Sequence, residues 1–164
     1  MEMGEPSDGS EVFRFAVPAR LEYRDAARGF LTYICRALVD EALLPAGAEH
    51  EVTSAFVEAF NNAAVHAYRG LPVGAIEVEL RVNRARLEIE VSDYGREFEP
   101  ERVPEPDLEA LPEGGLGLFI IRSFMDHVQY ETRSGRNVLT MSKELKPVDD
   151  SESRRASGTS RGRG

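Results

Sequence analysis

From Ile76 to Ser92 the chain alternates: Ile76, Val78, Leu80 and Val82 stand against Glu77, Glu79 and Arg81, then Leu87, Ile89 and Val91 against Glu88, Glu90 and Ser92. A period of two places every apolar side chain of two strands on one face. The turn at Asn83 to Ala85 joins them as a hairpin. One face of the resulting sheet is wet, and the other must be covered by something apolar.

The rest of the chain supplies the cover. Val12, Phe13, Phe15 and Val17 form a short strand ending at Pro18, and a long helix follows from about Arg20 to Ala42. Leu44, Pro45 and Gly47 break it. A second helix, from about Glu49 to Tyr68, carries Val52, Ala55, Phe56, Ala59, Ala63 and Val65 at the helical period. Gly70, Pro72 and Gly74 end it. The stretch from Gly95 to Gly114, with prolines at 100, 104, 106 and 112, reads as a loop. A third helix starts near Gly115 with Leu118, Phe119, Ile121 and Met125. Two last strands, Val128 to Thr132 and Asn137 to Leu145, enclose a turn at Ser134 and Gly135. Strands and helices segregated in this way predict an α+β fold: a two-layer sandwich whose mixed, mostly antiparallel sheet is covered on one face by helices.

A length of 164 residues suits one domain, and 41% hydrophobic residues suffice for a core without staples. Residues 1–10 lack periodic apolar positions, and residues 147–164 are Ser, Gly, Arg and acidic residues, so both ends are expected to be flexible around a domain at 11–146. The arginines of that tail, Arg154, Arg155, Arg161 and Arg163, read as a solvated segment. Cys35 has no cysteine partner and sits among Phe30, Leu31, Ile34 and Leu38, where a small thiol packs as core. A net charge of -9 disfavours direct nucleic-acid binding, which requires clustered Lys and Arg. No apolar run approaches the roughly 20 residues of a membrane span, and the acidic N-terminus is unlike a signal, so a cytoplasmic protein without membrane contact is expected.

Three features carry chemistry. Glu58 and Asn62 stand four apart and share one helix face. They read equally as surface groups, but Asn61 and Asn62 in succession sit poorly in a helix interior, because their amides compete for backbone hydrogen bonds. Such a carboxylate can accept a hydroxyl proton, and such an amide oxygen can ligate a hard cation. Next, Ser92-Asp93-Tyr94-Gly95 ends a strand; an ordinary Asp and Gly turn is the plainer reading. In the functional one Asp93 accepts a hydrogen bond from an exocyclic amine and Gly95 lets backbone approach a planar ligand. Last, Gly114-Gly115-Leu116-Gly117-Leu118 enters a helix, where converging N–H groups and the helix dipole favour phosphate. A flexible turn would look the same, and neither the Walker nor the full Rossmann pattern is present.

Together, Glu58-Ala-Phe-Asn-Asn62-Ala-Ala-Val-His66-Ala-Tyr68, Asp93-Tyr-Gly95-Arg-Glu-Phe98 and Gly114-Gly-Leu-Gly117-Leu-Phe-Ile-Ile-Arg122-Ser-Phe-Met125-Asp126 resemble the three ATP boxes of the Bergerat (histidine-kinase-like ATPase) superfamily. The short length, the His-Ala-Tyr continuation and Gly135-Arg-Asn-Val-Leu-Thr140-Met-Ser-Lys143 are most similar to the bacterial anti-sigma-factor serine kinases. The resemblance spans about residues 12–145.

What the resemblance implies is an ATP-dependent serine/threonine kinase with Mg²⁺. It would phosphorylate an anti-anti-sigma protein of the STAS type and sequester a sigma factor, as a homodimer. By position it makes Glu58 the general base, Asn62 the Mg²⁺ ligand and Asp93 the adenine-reading carboxylate. Gly95 would flank the base, Gly114, Gly115, Leu116, Gly117 and Leu118 would form the phosphate cradle, and Thr140 would support the adenine contact. The loop from about Arg96 to Glu113 would cover the nucleotide. His66 reads either as a packing or capping group or as a phosphate contact, and Arg122 as solvated. Glu97 stands where many superfamily members have a second glycine. That substitution suits the serine-kinase branch, and it also leaves open an ATP-binding anti-sigma or adaptor module with little kinase activity. A histidine-kinase catalytic half is disfavoured by the lack of a long dimerisation helix bearing a phosphoacceptor His.

Overall fold

The computed structural model describes residues 9–97 and 116–146. Among these residues five strands, β1 (Glu11–Pro18), β2 (Ala75–Val82), β3 (Arg86–Asp93), β4 (His127–Arg133) and β5 (Arg136–Glu144), form one sheet in the order β1-β2-β3-β5-β4. The sheet expected to be mixed and mostly antiparallel is antiparallel at every described pairing. The registers pair Val78 with Val91, Leu80 with Ile89, Ile89 with Met141 and Val91 with Leu139, so the apolar halves of the alternation share one face.

Among the described residues three helices cover that face: α1 (Arg24–Asp40), α2 (Ala48–Asn62) and α3 (Leu116–Phe124). The first begins with a separate 3₁₀ turn at Leu21–Tyr23 and buries Ala27, Leu31, Cys35 and Leu38. The central helix, α2, touches both others and drives Val52, Phe56 and Phe60 into the core without solvent exposure. Gly47 takes the left-handed conformation before it, and Glu49 reaches back to accept from the Gly47 N–H at 2.7 Å. Glu49 and Glu51 in the first turn also suit the helix dipole. The expected second helix does not continue regularly to Tyr68; Ala63–Ala67 form a π-helical turn instead.

The turns follow their residues. Asn83 Oδ1 accepts from the N–H groups of Ala85 and Arg86, both at 2.9 Å, closing the β2–β3 hairpin. Ser134 and Gly135 both take positive φ between β4 and β5, the backbone a two-residue hairpin needs. On the uncovered face charges interlock: Arg14 pairs with Glu79 at 2.7 Å, and Arg136 with Glu90 at 3.0 Å. Ser10, the last residue of the expected flexible start, is buried and accepts from Asn83 Nδ2 at 3.3 Å. Residues 1–8, 98–115 and 147–164 lie outside the described residues, and with them the expected flexible tail and most of the expected loop from Gly95 to Gly114. Among the described residues no helix is long and apolar enough to cross a membrane.

Candidate nucleotide site

A cavity of about 210 Å³ opens between α2 with its π-helical turn, the end of β3, the start of β5, β4 and α3. A cavity of about 150 Å³ lined by apolar groups admits benzene, so this one has room for a larger planar ring. The spacing Ala59, Asn62, Ala63, His66 and Ala67 brings one helix stripe to its wall. Its small side chains are what leave the space. Val91, Leu118 and Leu139 add apolar wall, and Tyr130, Asp93, Arg96, Glu97 and Asn137 complete it.

Glu58, Asn62 and Gly117 converge, and of the three only Asn62 lines the cavity. A Cβ placed on Gly117 would stand 2.9 Å from Glu58 Oε2 and 3.7 Å from Asn62 Oδ1. The missing side chain therefore lets the first turn of α3 lie against the carboxylate and the amide. Leu118 joins the cavity wall. Leu116 opens α3 half-buried and is not among the residues of that wall. Gly114 and Gly115 lie outside the described residues.

In the same wall as Asn62, Asp93 is buried at 8% exposure, and burial raises its carboxyl above the ordinary aspartate value. Hydrogen bonds from Asn137 and from the Gly95 backbone oppose that rise. Gly95 is pressed against the end of the helix, where an added Cβ would lie 2.2 Å from Ala67 O. Beside it, the Arg96 N–H donates to Ala67 O at 2.7 Å. The Tyr68 hydroxyl donates to Ala75 O at 2.8 Å and accepts from the Tyr94 N–H at 3.0 Å. The strand end that carries Asp93 is thus fastened to the helix that carries Asn62.

Thr140 is a correction to the sequence reading. Its neighbours across the sheet are Glu90 and Gln129, whereas Asn137 and Leu139 of the same strand line the cavity. Successive side chains alternate, so Thr140 faces the uncovered side and cannot support a ligand in the cavity. The polar group of β5 that reaches the site is Asn137, which the motif reading passed over. An amide in the same alternation as Leu139 and Met141, on the core face of a strand, was the available signal. Arg122 does not line the cavity, and His66 does.

The site residues suit a nucleotide with a hard cation. Among the described residues there is no cluster of three or more His, Cys, Asp or Glu for a protein-held metal. A single amide oxygen at Asn62 matches Mg²⁺, which keeps water and phosphate as most of its ligands.

A family model described as a histidine kinase-like ATPase domain matches residues 17–143. The chain is 32% identical over 141 residues to the serine-protein kinase RsbW of Oceanobacillus iheyensis, covering 79% of this chain and 84% of the relative. It is 33% identical over 132 residues to the RsbW of Listeria innocua, covering 75% and 81%. A solved structure, the RsbU and RsbW domains of Rv1364c from Mycobacterium tuberculosis, superposes with a TM-score of 0.58 at 15% identity. It covers 84% of this chain and 33% of that longer one, and at that identity it speaks for the fold alone. With the boxes, the cavity they line and these relatives in agreement, the chain belongs to the histidine kinase-like ATPase family, in its branch of RsbW-type serine-protein kinases.

Proposed function

We propose that the protein is an ATP-dependent serine/threonine kinase of the bacterial cytoplasm that phosphorylates an anti-anti-sigma protein of the STAS type and holds a sigma factor. The observation that carries this is the meeting of Glu58 with Gly117 beside Asn62, an amide that lines the same cavity as Asp93. In this reading Asp93 accepts from the adenine amine, and Gly95 brings the β3 end close to the ring. Gly117 at the start of α3, with Gly114 and Gly115 before it in the sequence, would supply N–H groups to the phosphates. Asn62 would hold Mg²⁺, which neutralises charge on the phosphates when bound.

Glu58 takes the proton from the substrate hydroxyl as its oxygen forms a bond to the γ-phosphorus. The bond from that phosphorus to the bridging oxygen breaks, and ADP leaves. Little covalent work falls to the protein, so positioning and charge placement suffice.

The test is transfer of label from γ-labelled ATP to a purified antagonist, with Glu58→Ala beside the wild type. Lost transfer with nearly unchanged ATP affinity supports the base, because a base acts mainly in the transition state. ATP binding lost together with transfer would make Glu58 structural and end this assignment.

A second reading, an ATP-binding anti-sigma or adaptor module with little turnover, draws on Glu97, a carboxylate that lines the cavity where many superfamily members have a glycine. Under it no label reaches any antagonist, while sigma-factor capture survives Glu58→Ala. The homodimer implied by the resemblance belongs to the same proposal, and sedimentation of the full chain measures it.

A further inference from the structure

Asp93 and Asn137 are directly opposed across the β3–β5 ladder. The Asn137 Nδ2 donates to Asp93 Oδ1 at 2.8 Å and to Arg96 O at 2.9 Å, with Gly95 O at 3.4 Å. Its Oδ1 faces Thr132 Oγ1 at 3.3 Å. With acceptors on one side and a hydroxyl donor on the other, the amide has one favourable orientation. At 2% exposure it is also nearly withdrawn from bulk solvent. The same Asp93 Oδ1 accepts from the Gly95 N–H at 2.9 Å. Both donors fall on one carboxylate oxygen, and among the described residues none falls on Oδ2.

We propose that Asn137 determines which nucleobase the cavity accepts: by fixing one oxygen of Asp93 in place, it leaves a single acceptor for the base. The inference rests on the reading of Asp93 as the base-contacting carboxylate. Adenine presents one exocyclic amine, which a single oxygen satisfies. Guanine would address a carboxylate with two adjacent donors, its ring N–H and its 2-amino group, and that pairing needs both oxygens turned to the ligand. Presented to one fixed oxygen, guanine leaves a desolvated donor unpaired, or sets its carbonyl oxygen against the carboxylate. Either outcome is costly in a buried site. Asn137 is thus a positioning residue that selects through Asp93.

The experiment compares equilibrium binding of MgATP and MgGTP to the full chain for wild type, Asp93→Asn, Asn137→Ala and Asn137→Leu. The leucine variant fills the amide's volume without its donors and covers the case in which alanine loosens the fold. Wild type is expected to favour ATP by about tenfold or more, and both Asn137 variants to lose most of that ratio, mainly through stronger GTP binding. A wild type that binds both nucleotides equally overturns the inference without any variant. So do Asn137 variants that lose ATP and GTP affinity in parallel and keep the wild-type ratio, since that is what a merely structural amide would do. ATP binding that is absent, or indifferent to Asp93→Asn, is a separate result: it removes the reading of Asp93 and this inference with it.

Discussion

Gly117 and Glu58 are in contact across the α2–α3 interface, with room for no side chain between them: a Cβ on the glycine would stand 2.9 Å from Glu58 Oε2. The atom it would meet is the far end of a flexible side chain, so Gly117→Ala can be relieved by turning the carboxylate aside. Alanine in the first turns of a helix is also favoured over glycine by up to about 1 kcal/mol. The expected outcome is a protein at least as stable as wild type with phosphate transfer reduced by about a hundredfold, the cost of misplacing a reacting group by roughly 1 Å. Thermal melting and labelled transfer, measured on one preparation, check both halves.

Gly95→Ala should behave in the opposite way. There the added carbon would lie 2.2 Å from the Ala67 carbonyl oxygen, a backbone atom that cannot rotate away. The end of β3 must shift from the helix, straining the Arg96 N–H bond to the same carbonyl. Overpacking of this kind costs about 1–3 kcal/mol. A urea denaturation midpoint unchanged from wild type would contradict the close approach of these two elements.

Much of this architecture could be read from the sequence because its signals are local. The alternation from Ile76 to Val91 placed β2 and β3, and the Ser134 and Gly135 turn placed the last hairpin. What sequence could not supply is what depends on partners across space. The π-helical turn at Ala63–Ala67 leaves no periodic mark, since the apolar stripe runs through it. The choice between Thr140 and Asn137 depended on which face of β5 meets the cavity, and a shift of one residue reverses the answer.

That reversal is directly testable. Thr140→Ala lies on the uncovered face and should leave MgATP affinity within about twofold of wild type, as surface changes away from a site usually do. A tenfold loss in an equilibrium titration would place Thr140 in the nucleotide site after all.

Cys35 is fully buried on α1, and burial, with a smaller contribution from Glu49, pushes its thiol up to about 12. The thiolate is the reactive form, so near neutral pH almost none is present, and no reagent reaches it in the native fold. Thiol reagents are expected to label Cys35 only through unfolding, at a rate that denaturant raises and bound ATP lowers. Rapid stoichiometric labelling of the native protein would show that α1 opens on its own.

Asp93 links recognition to stability through the sign of its shift. Its carboxyl is raised from the ordinary value of 3.8, with burial as the largest cause. A group with a raised folded value binds its proton more tightly in the folded chain. Its contribution to stability is therefore greatest below the unfolded value and is lost as pH rises through the folded one. At neutral pH the ligand-free protein carries a buried charge whose Oδ1 alone accepts hydrogen bonds among the described residues. Asp93→Asn keeps an oxygen for the Gly95 and Asn137 donors and removes that charge. The variant is expected to melt at the same temperature as wild type or higher at pH 7, with the two converging as pH falls below about 4. Its nucleotide affinity should fall by about tenfold or more, because an amide N–H would then face the adenine amine. Wild-type affinity should itself decline with acid as the carboxylate is protonated, starting above the pH expected for an ordinary aspartate. A variant that loses stability and affinity together at pH 7 would instead make Asp93 a structural member of the β3 turn.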